Sequence, residues 1–366
     1  MAKGDAVTVR RSFAPAVLTA ALALALPGMA HAATVTVSTG APAKAEKQFE
    51  AVQATVNDFF PHRVSIHVGD SLRFVTDEFH TVDLPPKGGK LEQLLTPASQ
   101  KASGVTDAAG AAFWFNGQPL LQLNPAMLPG IWGQRATYSG AARVLSGVPP
   151  LPTVKPLTVK FAKKGRFTFL CDVHPGMKGV VDVLPRRASL PSRRVRNRAL
   201  ATQISRALKI GKRLPRPAPS QGVVDVGAPG RNGVERLAMF PATTTVAAGQ
   251  PVTFRMTRPS REAHTVTFGP GPADNPSTYV GALSASFRNL TAPLDARAAY
   301  PSEQPGAAAP ALTPTLHGNG FWNSGLLDAD SRTPLPDSAS VTFGAPGTYE
   351  YFCLIHPQMV GVVKVT

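Results

Sequence analysis

A short motif that occurs twice constrains this chain more than any other feature. The stretches TFLCDVHPGMKGVVDV and YFCLIHPQMVGVVKVT each contain Cys-x-x-His-Pro-x-Met, and they align without a gap when the sequence is shifted by 182 residues. They hold the only two cysteines among 366 residues. A sequence that repeats its cysteine setting in this way is predicted to contain two copies of one domain.

The repeat extends upstream of the motifs. VGDSLRFVTDEFHTVDLP resembles AAGQPVTFRMTRPSREAHTVTFGPG, since each has a glycine, a β-like run and then His-Thr-Val. The upstream histidine precedes the cysteine by 91 residues in the first copy (His80 to Cys171) and by 89 in the second (His264 to Cys353). We therefore predict one domain over residues 33–185 and another over 222–366, joined by a linker at 186–221.

The residues before each motif favour a β fold. Phe167, Phe169 and Cys171 alternate with period two, as do the corresponding residues of the second copy, which puts aromatic core positions and the thiol on one face of a strand. Valine-rich runs after each motif predict a returning strand, so each Cys-to-Met segment is predicted to be a tight loop. Frequent Pro and Gly between short strand-like runs favour an all-β protein.

The linker carries most of the charge. Eleven Lys or Arg and no acid lie between residues 184 and 221, in a chain of net charge +16. Leu200, Ile204 and Leu208 recur every four residues, which predicts a short helix with a basic outer face. Two interpretations stay open, a solvated connector and a patch that contacts an anionic surface. The domains are close to neutral, and no nucleic-acid partner is expected.

Residues 1–32 are interpreted as a signal peptide. Basic residues precede an apolar run over 16–26, and Ala30-His31-Ala32 supplies small residues for cleavage. The apolar run is too short to span a bilayer. Arg10 and Arg11 leave open an ordinary or a twin-arginine signal. We expect an exported protein that is periplasmic, at the cell surface or extracellular, with no transmembrane span in the mature chain.

The motif combines soft sulfur ligands with imidazole. A His₂Cys plane with a long axial Met is the ligand set of a blue-copper electron-transfer site. Each motif supplies Cys, His and Met, so one imidazole must come from elsewhere, and one histidine pair outside the motifs recurs. The predicted ligands of two copper ions per chain are His80, Cys171, His174 and Met177, and His264, Cys353, His356 and Met359.

Simpler explanations exist for each of these residues. Two cysteines of an exported protein can form a disulfide, although a disulfide requires no His and Met at fixed offsets. A histidine on a strand can be a tolerated polar residue, and the methionines can be ordinary core residues.

On these motifs the chain resembles two cupredoxin domains in tandem, that is, a plastocyanin- or amicyanin-like type 1 blue copper protein. The resemblance implies a Greek-key β-sandwich in each half, with copper bound by the upstream His and by the loop Cys, His and Met. It also implies that His174 and His356 lie near the surface and exchange electrons with a partner. Two departures matter. Thr81 and Thr265 follow the upstream histidines where family members often have Asn, and a long insertion separates each upstream His from its Cys.

We therefore expect an electron carrier with protein redox partners, and not an enzyme. A multicopper oxidase or nitrite reductase would need more histidines, and His62, His67 and His317 are the spare ones after residue 32. Copper trafficking or storage is an alternative, although only five methionines follow residue 32. Another alternative is a structural module at the cell surface in which one or both metal sites stay empty.

Overall fold

Two β-sandwiches dominate the computed structural model, which describes Met1 and residues 32–366. The predicted signal peptide therefore falls almost entirely outside the described residues. Residues Ala33–Thr366 form one compact unit. The prediction of an all-β fold with two sandwiches is confirmed.

The first sandwich consists of two five-stranded sheets. In spatial order, one sheet contains Phe59–Phe60, Thr34–Thr39, Ser71–Val75, Leu157–Phe161 and Arg135–Tyr138. The other contains Val144–Leu145, Asp83–Leu84, Gly165–Leu170, Lys178–Leu184 and Arg63–His67. Successive strands of the chain cross repeatedly from one sheet to the other, as Greek-key connections do.

The second sandwich has the same plan. One sheet contains Thr55–Val56, Val234–Phe240, Val223–Pro229, Pro251–Arg255 and Ser338–Thr342. The other contains Thr243–Val246, Val360–Val365, Gly347–Phe352, Thr267–Phe268 and Trp322–Asn323. Two further strand pairs are Ala263–His264 with Leu327–Asp328 and Leu95–Lys101 with Pro119–Leu123.

Helices are few. They are α1 (Ala43–Ala51), α2 (Arg193–Lys212), α3 (Tyr279–Ser286) and α4 (Ala296–Ala299), with short 3₁₀ turns at Pro125–Met127, Arg231–Gly233 and Leu316–Gly318. Among the described residues, no helix combines the length and apolar character needed to cross a bilayer.

Aromatic side chains fill each sandwich along the strand that leads to the cysteine. Phe169 is fully buried and meets Phe59 and Phe74 edge-on, with ring centroids 4.8 and 5.3 Å apart. Tyr351 takes the corresponding place in the second sandwich, 5.0 Å from Phe254. The period-two alternation therefore predicted correctly which face of these strands is buried, because neighbouring strand residues point to opposite sides of a sheet.

The basic linker forms a helix, as its four-residue spacing predicted, but the helix is more than a solvated connector. Ser192 caps α2 by accepting a hydrogen bond from the N–H of Val195. On the inner face of α2, Ile204 and Ala207 are buried in one cluster with Phe49 of α1. Burial of this apolar stripe fixes α2 against the rest of the protein.

The first half of the chain contributes structural elements to the second half. Thr55–Val56 comes from the first half of the chain, yet it pairs antiparallel with Val234–Phe240 at the edge of a second-half sheet. The backbone N–H of Asn57 donates to the carbonyl of Gly233 at 2.7 Å, continuing this pairing. The edge strand of one sandwich is therefore supplied by the other half of the chain.

The first-half insertion also packs on the second half. It forms the hairpin Leu95–Lys101 with Pro119–Leu123, which we call the insertion hairpin, and residues of its connecting loop enter a second-half apolar cluster. That cluster contains Ala102, Phe113, Phe115, Ala273, Val280, Leu283, Ala296, Ala298, Phe321, Phe352 and Leu354. Because Phe352 and Leu354 flank Cys353, the insertion hairpin supports the second motif from the other half of the molecule.

Candidate metal centres

Each Cys-x-x-His-x-x-Met motif forms a tight loop at the end of an antiparallel strand pair, as predicted. In the first loop the N–H of Cys171 donates to the carbonyl of Met177 at 3.1 Å, and the N–H of Met177 donates to the carbonyl of His174 at 3.0 Å. The second loop repeats both bonds, at 3.1 and 2.8 Å. In each half the Cys and Met of this loop lie in the core cluster of their own sandwich.

In the first half the loop meets the upstream histidine. Cys171 Sγ lies 3.8 Å from His80 Nδ1 and 3.6 Å from His174 Nδ1, and the two Nδ1 atoms are 3.0 Å apart. All three side chains are buried. One sulfur and two ring nitrogens therefore face a common point.

The second half repeats the arrangement. Cys353 Sγ lies 3.6 Å from His264 Nδ1 and 3.7 Å from His356 Nδ1, and these nitrogens are 3.1 Å apart. Within the described part of the chain, these two triads are the groups of His, Cys and carboxylate side chains whose ligand atoms converge within 4.8 Å.

The two triangles have the size that a metal ion requires. A point equidistant from the three atoms lies about 2 Å from each in both halves, and metal–nitrogen and metal–sulfur bonds span about 2.0–2.3 Å. Met177 and Met359 are fully buried, each in the same apolar cluster as the cysteine of its loop. The donor set of thiolate, two imidazoles and a nearby thioether is one that suits copper.

The electrostatics of both sites favour the thiolate form of the cysteine. Burial alone would raise the pKa of Cys171, but hydrogen bonds and charge from His174 and His80 outweigh it and hold the pKa well below its ordinary value. The pKa of Cys353 is lowered in the same way, because hydrogen bonds and charge from His264 and His356 outweigh the effect of burial. Thiolate is the form of cysteine that binds metals.

The threonine after each upstream histidine fastens the strand to the loop. The N–H of Thr81 donates to Cys171 Sγ at 3.4 Å, and Thr81 Oγ1 accepts the N–H of Asp172 at 2.8 Å. Thr265 does the same in the second half, where Oγ1 accepts the N–H of Leu354 at 2.8 Å. Each threonine therefore supplies a backbone hydrogen bond to the cysteine sulfur of its own half.

The first site has more carboxylates around it than the second. Glu78 Oε2 lies 2.9 Å from His80 Nε2, and Asp172 stands next to the cysteine, where Leu354 stands in the second half. Burial, and then the neighbouring Asp172, raise the pKa of Asp83 to about 8, although Arg143 lies 2.5 Å from its Oδ2. The two triads therefore match in geometry and differ in charge.

A single buried glutamate lies between the two sites. Glu262 Oε2 is 3.4 Å from His174 Nε2 and 3.5 Å from His356 Nε2. Its other oxygen, Oε1, accepts a hydrogen bond from Asn57 Nδ2 at 2.6 Å. Burial would raise the pKa of Glu262, but the two imidazoles beside it hold the pKa well below its usual range. The loop histidines of both halves thus share one carboxylate oxygen.

This contact changes the expectation for the loop histidines. His174 is 7% exposed, and the outer nitrogens of His174 and His356 face Glu262. The expected surface exchange points are therefore directed towards each other inside the molecule. The reason is the docking of the two halves, which places the two loops on either side of Glu262.

The structure contradicts the alternative of a disulfide and places the three spare histidines outside both sites. Both cysteines are free and buried in separate sites, which contradicts the disulfide. The spare histidines lie apart from both triads. His62 is near Asp58, His67 Nε2 lies 2.8 Å from the carbonyl of Ala188, and His317 lies between Asp107 and Glu303.

Sequence reasoning missed the glutamates, although a signal was present. Glu78 and Glu262 each stand two residues before the upstream histidine, so Glu-x-His-Thr-Val recurs in both halves. The recurrence marks the position without predicting the contact, because Glu78 contacts His80 of its own site whereas Glu262 contacts both loop histidines. Asn57 has no sequence signal at all.

Comparison with known proteins gave similar solved structures only. No family model and no curated protein match the sequence. The chain resembles plastocyanin from Dryopteris crassirhizoma (21% identity, 39% of this chain and 99% of that one, TM-score 0.20). It also resembles auracyanin from Roseiflexus castenholzii (20% identity, 41% and 99%, TM-score 0.23) and amicyanin from Paracoccus versutus (18% identity, 41% and 84%, TM-score 0.21).

Proposed function

We propose that this protein is an exported electron carrier that binds one type 1 copper ion in each half. The observation that supports this most strongly is the pair of buried triangles of one sulfur and two Nδ1 atoms, repeated with the same size in two sandwiches. Copper held there would supply a one-electron redox couple.

The proposed ligands are the eight residues of the sequence prediction. His80, Cys171, His174 and Met177 would hold the first copper ion, and His264, Cys353, His356 and Met359 would hold the second. The protein's part is to hold these side chains in one geometry. The rigid loop hydrogen bonds and the Thr81 and Thr265 contacts support that role, because little rearrangement then accompanies a change of metal charge.

The domain organisation and location belong to the same proposal. The domains would be residues 33–185 and 222–366, with 186–221 as the linker and 1–32 as a removed signal peptide. An exported protein that is periplasmic, at the cell surface or extracellular would exchange electrons with protein partners. The exposed basic residues of α2 would allow contact with an anionic surface.

The test compares the copper-loaded protein with Cys171→Ser and Cys353→Ser. We expect an intense blue absorption, two copper ions per chain by metal analysis, and loss of about half the absorbance in each variant, because the thiolate of each half would give its own band. His62→Ala serves as the control, since His62 lies outside both triads. A colourless loaded protein, or copper that a weak chelator removes at once, would contradict an electron carrier and favour an empty module or copper trafficking.

A further inference from the structure

Glu262 brings the two loop histidines, and with them the two candidate sites, close together. Both outer nitrogens meet the same oxygen, Glu262 Oε2, at 3.4 and 3.5 Å, so His174 Nε2 and His356 Nε2 lie within about 7 Å, the sum of the two distances. In each ring Nδ1 faces the cysteine of its own half. Each imidazole therefore joins its own triad at one nitrogen and the shared carboxylate at the other.

Glu262 is held in this position by both halves. Its Oε1 accepts a hydrogen bond from the side-chain amide of Asn57, which follows the edge strand Thr55–Val56, and its own N–H donates to Ser260 Oγ at 3.2 Å. Glu262 and Asn57 are 7% and 2% exposed. A buried charge is costly unless it is hydrogen-bonded. These hydrogen bonds therefore stabilise the buried carboxylate of Glu262 between the two halves.

We propose that Glu262 joins the two donor sets into one coupled pair, by accepting the Nε2–H of both loop histidines at a single oxygen. The carboxylate fixes the proton of each ring on Nε2 and so keeps both Nδ1 atoms free as ligands. It also makes a continuous contact from one triad to the other through His174, Glu262 and His356.

The consequence for electron exchange rests on the proposed function. If copper were bound in both halves, His174, Glu262 and His356 would provide the contact along which one electron could pass from a reduced to an oxidised site, with no bond formed or broken. The protein would then act as an internal relay, and not as two independent carriers that each meet a partner at a surface histidine.

Glu78 supplies the matched control. It stands at the same position relative to its upstream histidine, two residues before it, but it contacts only His80. Replacing Glu262 should therefore perturb both sites at once, whereas Glu78→Gln should perturb the first site alone.

The first measurement needs no metal. Long-range ¹H–¹⁵N spectra of the histidine rings should show Nε2–H for both His174 and His356, and Glu262→Ala should shift both sets of signals together. Asn57→Ala, which leaves both rings and the carboxylate in place, should shift the same two sets to a smaller extent. A change confined to one of the two rings in both variants would overturn the shared contact.

The second measurement uses the copper-loaded full chain. After pulse reduction with less than one electron per chain, we expect the electron to redistribute between the sites at a rate independent of protein concentration. The rate should fall at least tenfold in Glu262→Ala and stay unchanged in His62→Ala, whose ring lies near Asp58 and outside both triads. Redistribution that depends on concentration, or that is unaffected by Glu262→Ala, would overturn the relay. A loaded protein that is not blue would refute the proposed function instead, and the ring spectra would still decide the role of Glu262.

Discussion

Replacing Phe115 by alanine tests how the first-half insertion is attached to the second half. The ring is fully buried in the cluster that the insertion hairpin shares with second-half residues. A Phe→Ala change in a core costs about 3–5 kcal/mol, because burial is lost and a cavity remains. Phe115 also stacks on Phe113 at 4.9 Å and on Tyr300 at 5.7 Å. We expect the free energy of unfolding to fall by about 4 kcal/mol.

The assay combines guanidinium unfolding with limited proteolysis of the folded protein. The matched control is Phe161→Ala, which removes an equally buried ring from the core of the first sandwich. Both variants should lose similar stability. Only Phe115→Ala should become cleavable between residues 101 and 119 under native conditions, because only that variant loosens the insertion hairpin from the second half.

Two results would refute the reasoning. One is a loss of less than about 1 kcal/mol in Phe115→Ala, which would mean that the ring is not packed as described. The other is equal protection of the hairpin loop in the variant and in the control, which would mean that the second half does not hold it.

Three further outcomes follow from individual contacts. Thr265→Val should lower the free energy of unfolding by about 1–3 kcal/mol in thermal melts, because the buried N–H of Leu354 loses its acceptor. Burial raises the pKa of Asp83 to about 8, so between about pH 4 and pH 8 the folded protein holds a proton there that the unfolded chain has released. Stability should therefore fall as pH rises from about 4 to about 8, and Asp83→Asn should flatten that slope. Ile204→Asp should cost about 3 kcal/mol by placing a charge on the buried face of α2, whereas Val195→Asp on its exposed face should cost little in the same denaturation assay.

The parts of the site that sequence could predict are local ones. Cys171, His174 and Met177 lie in one loop, and period-two alternation determines which way the strand before it faces. The upstream histidines were found because the repeat allowed two halves of one chain to be compared. The four-residue spacing of Leu200, Ile204 and Leu208 likewise predicted α2.

The relation between the halves could not be predicted, because it depends on contacts between residues far apart in the chain. Glu262 is separated from His174 by 88 positions, and Asn57 from Glu262 by 205. No local pattern specifies that these side chains meet. Glu78 and Glu262 occupy equivalent positions in the repeat, yet docking of the two sandwiches gives them different contacts.

The edge strand Thr55–Val56, which the first half supplies to a second-half sheet, matters when the two halves are expressed as separate polypeptides. A polypeptide of residues 222–366 alone would lack that strand and would leave the outer edge of Val234 and Glu235 without its pairing partner. Such a fragment would self-associate when expressed by itself and would be rescued by co-expression with residues 33–221. Cleavage of the linker after folding would leave the two fragments bound as a complex.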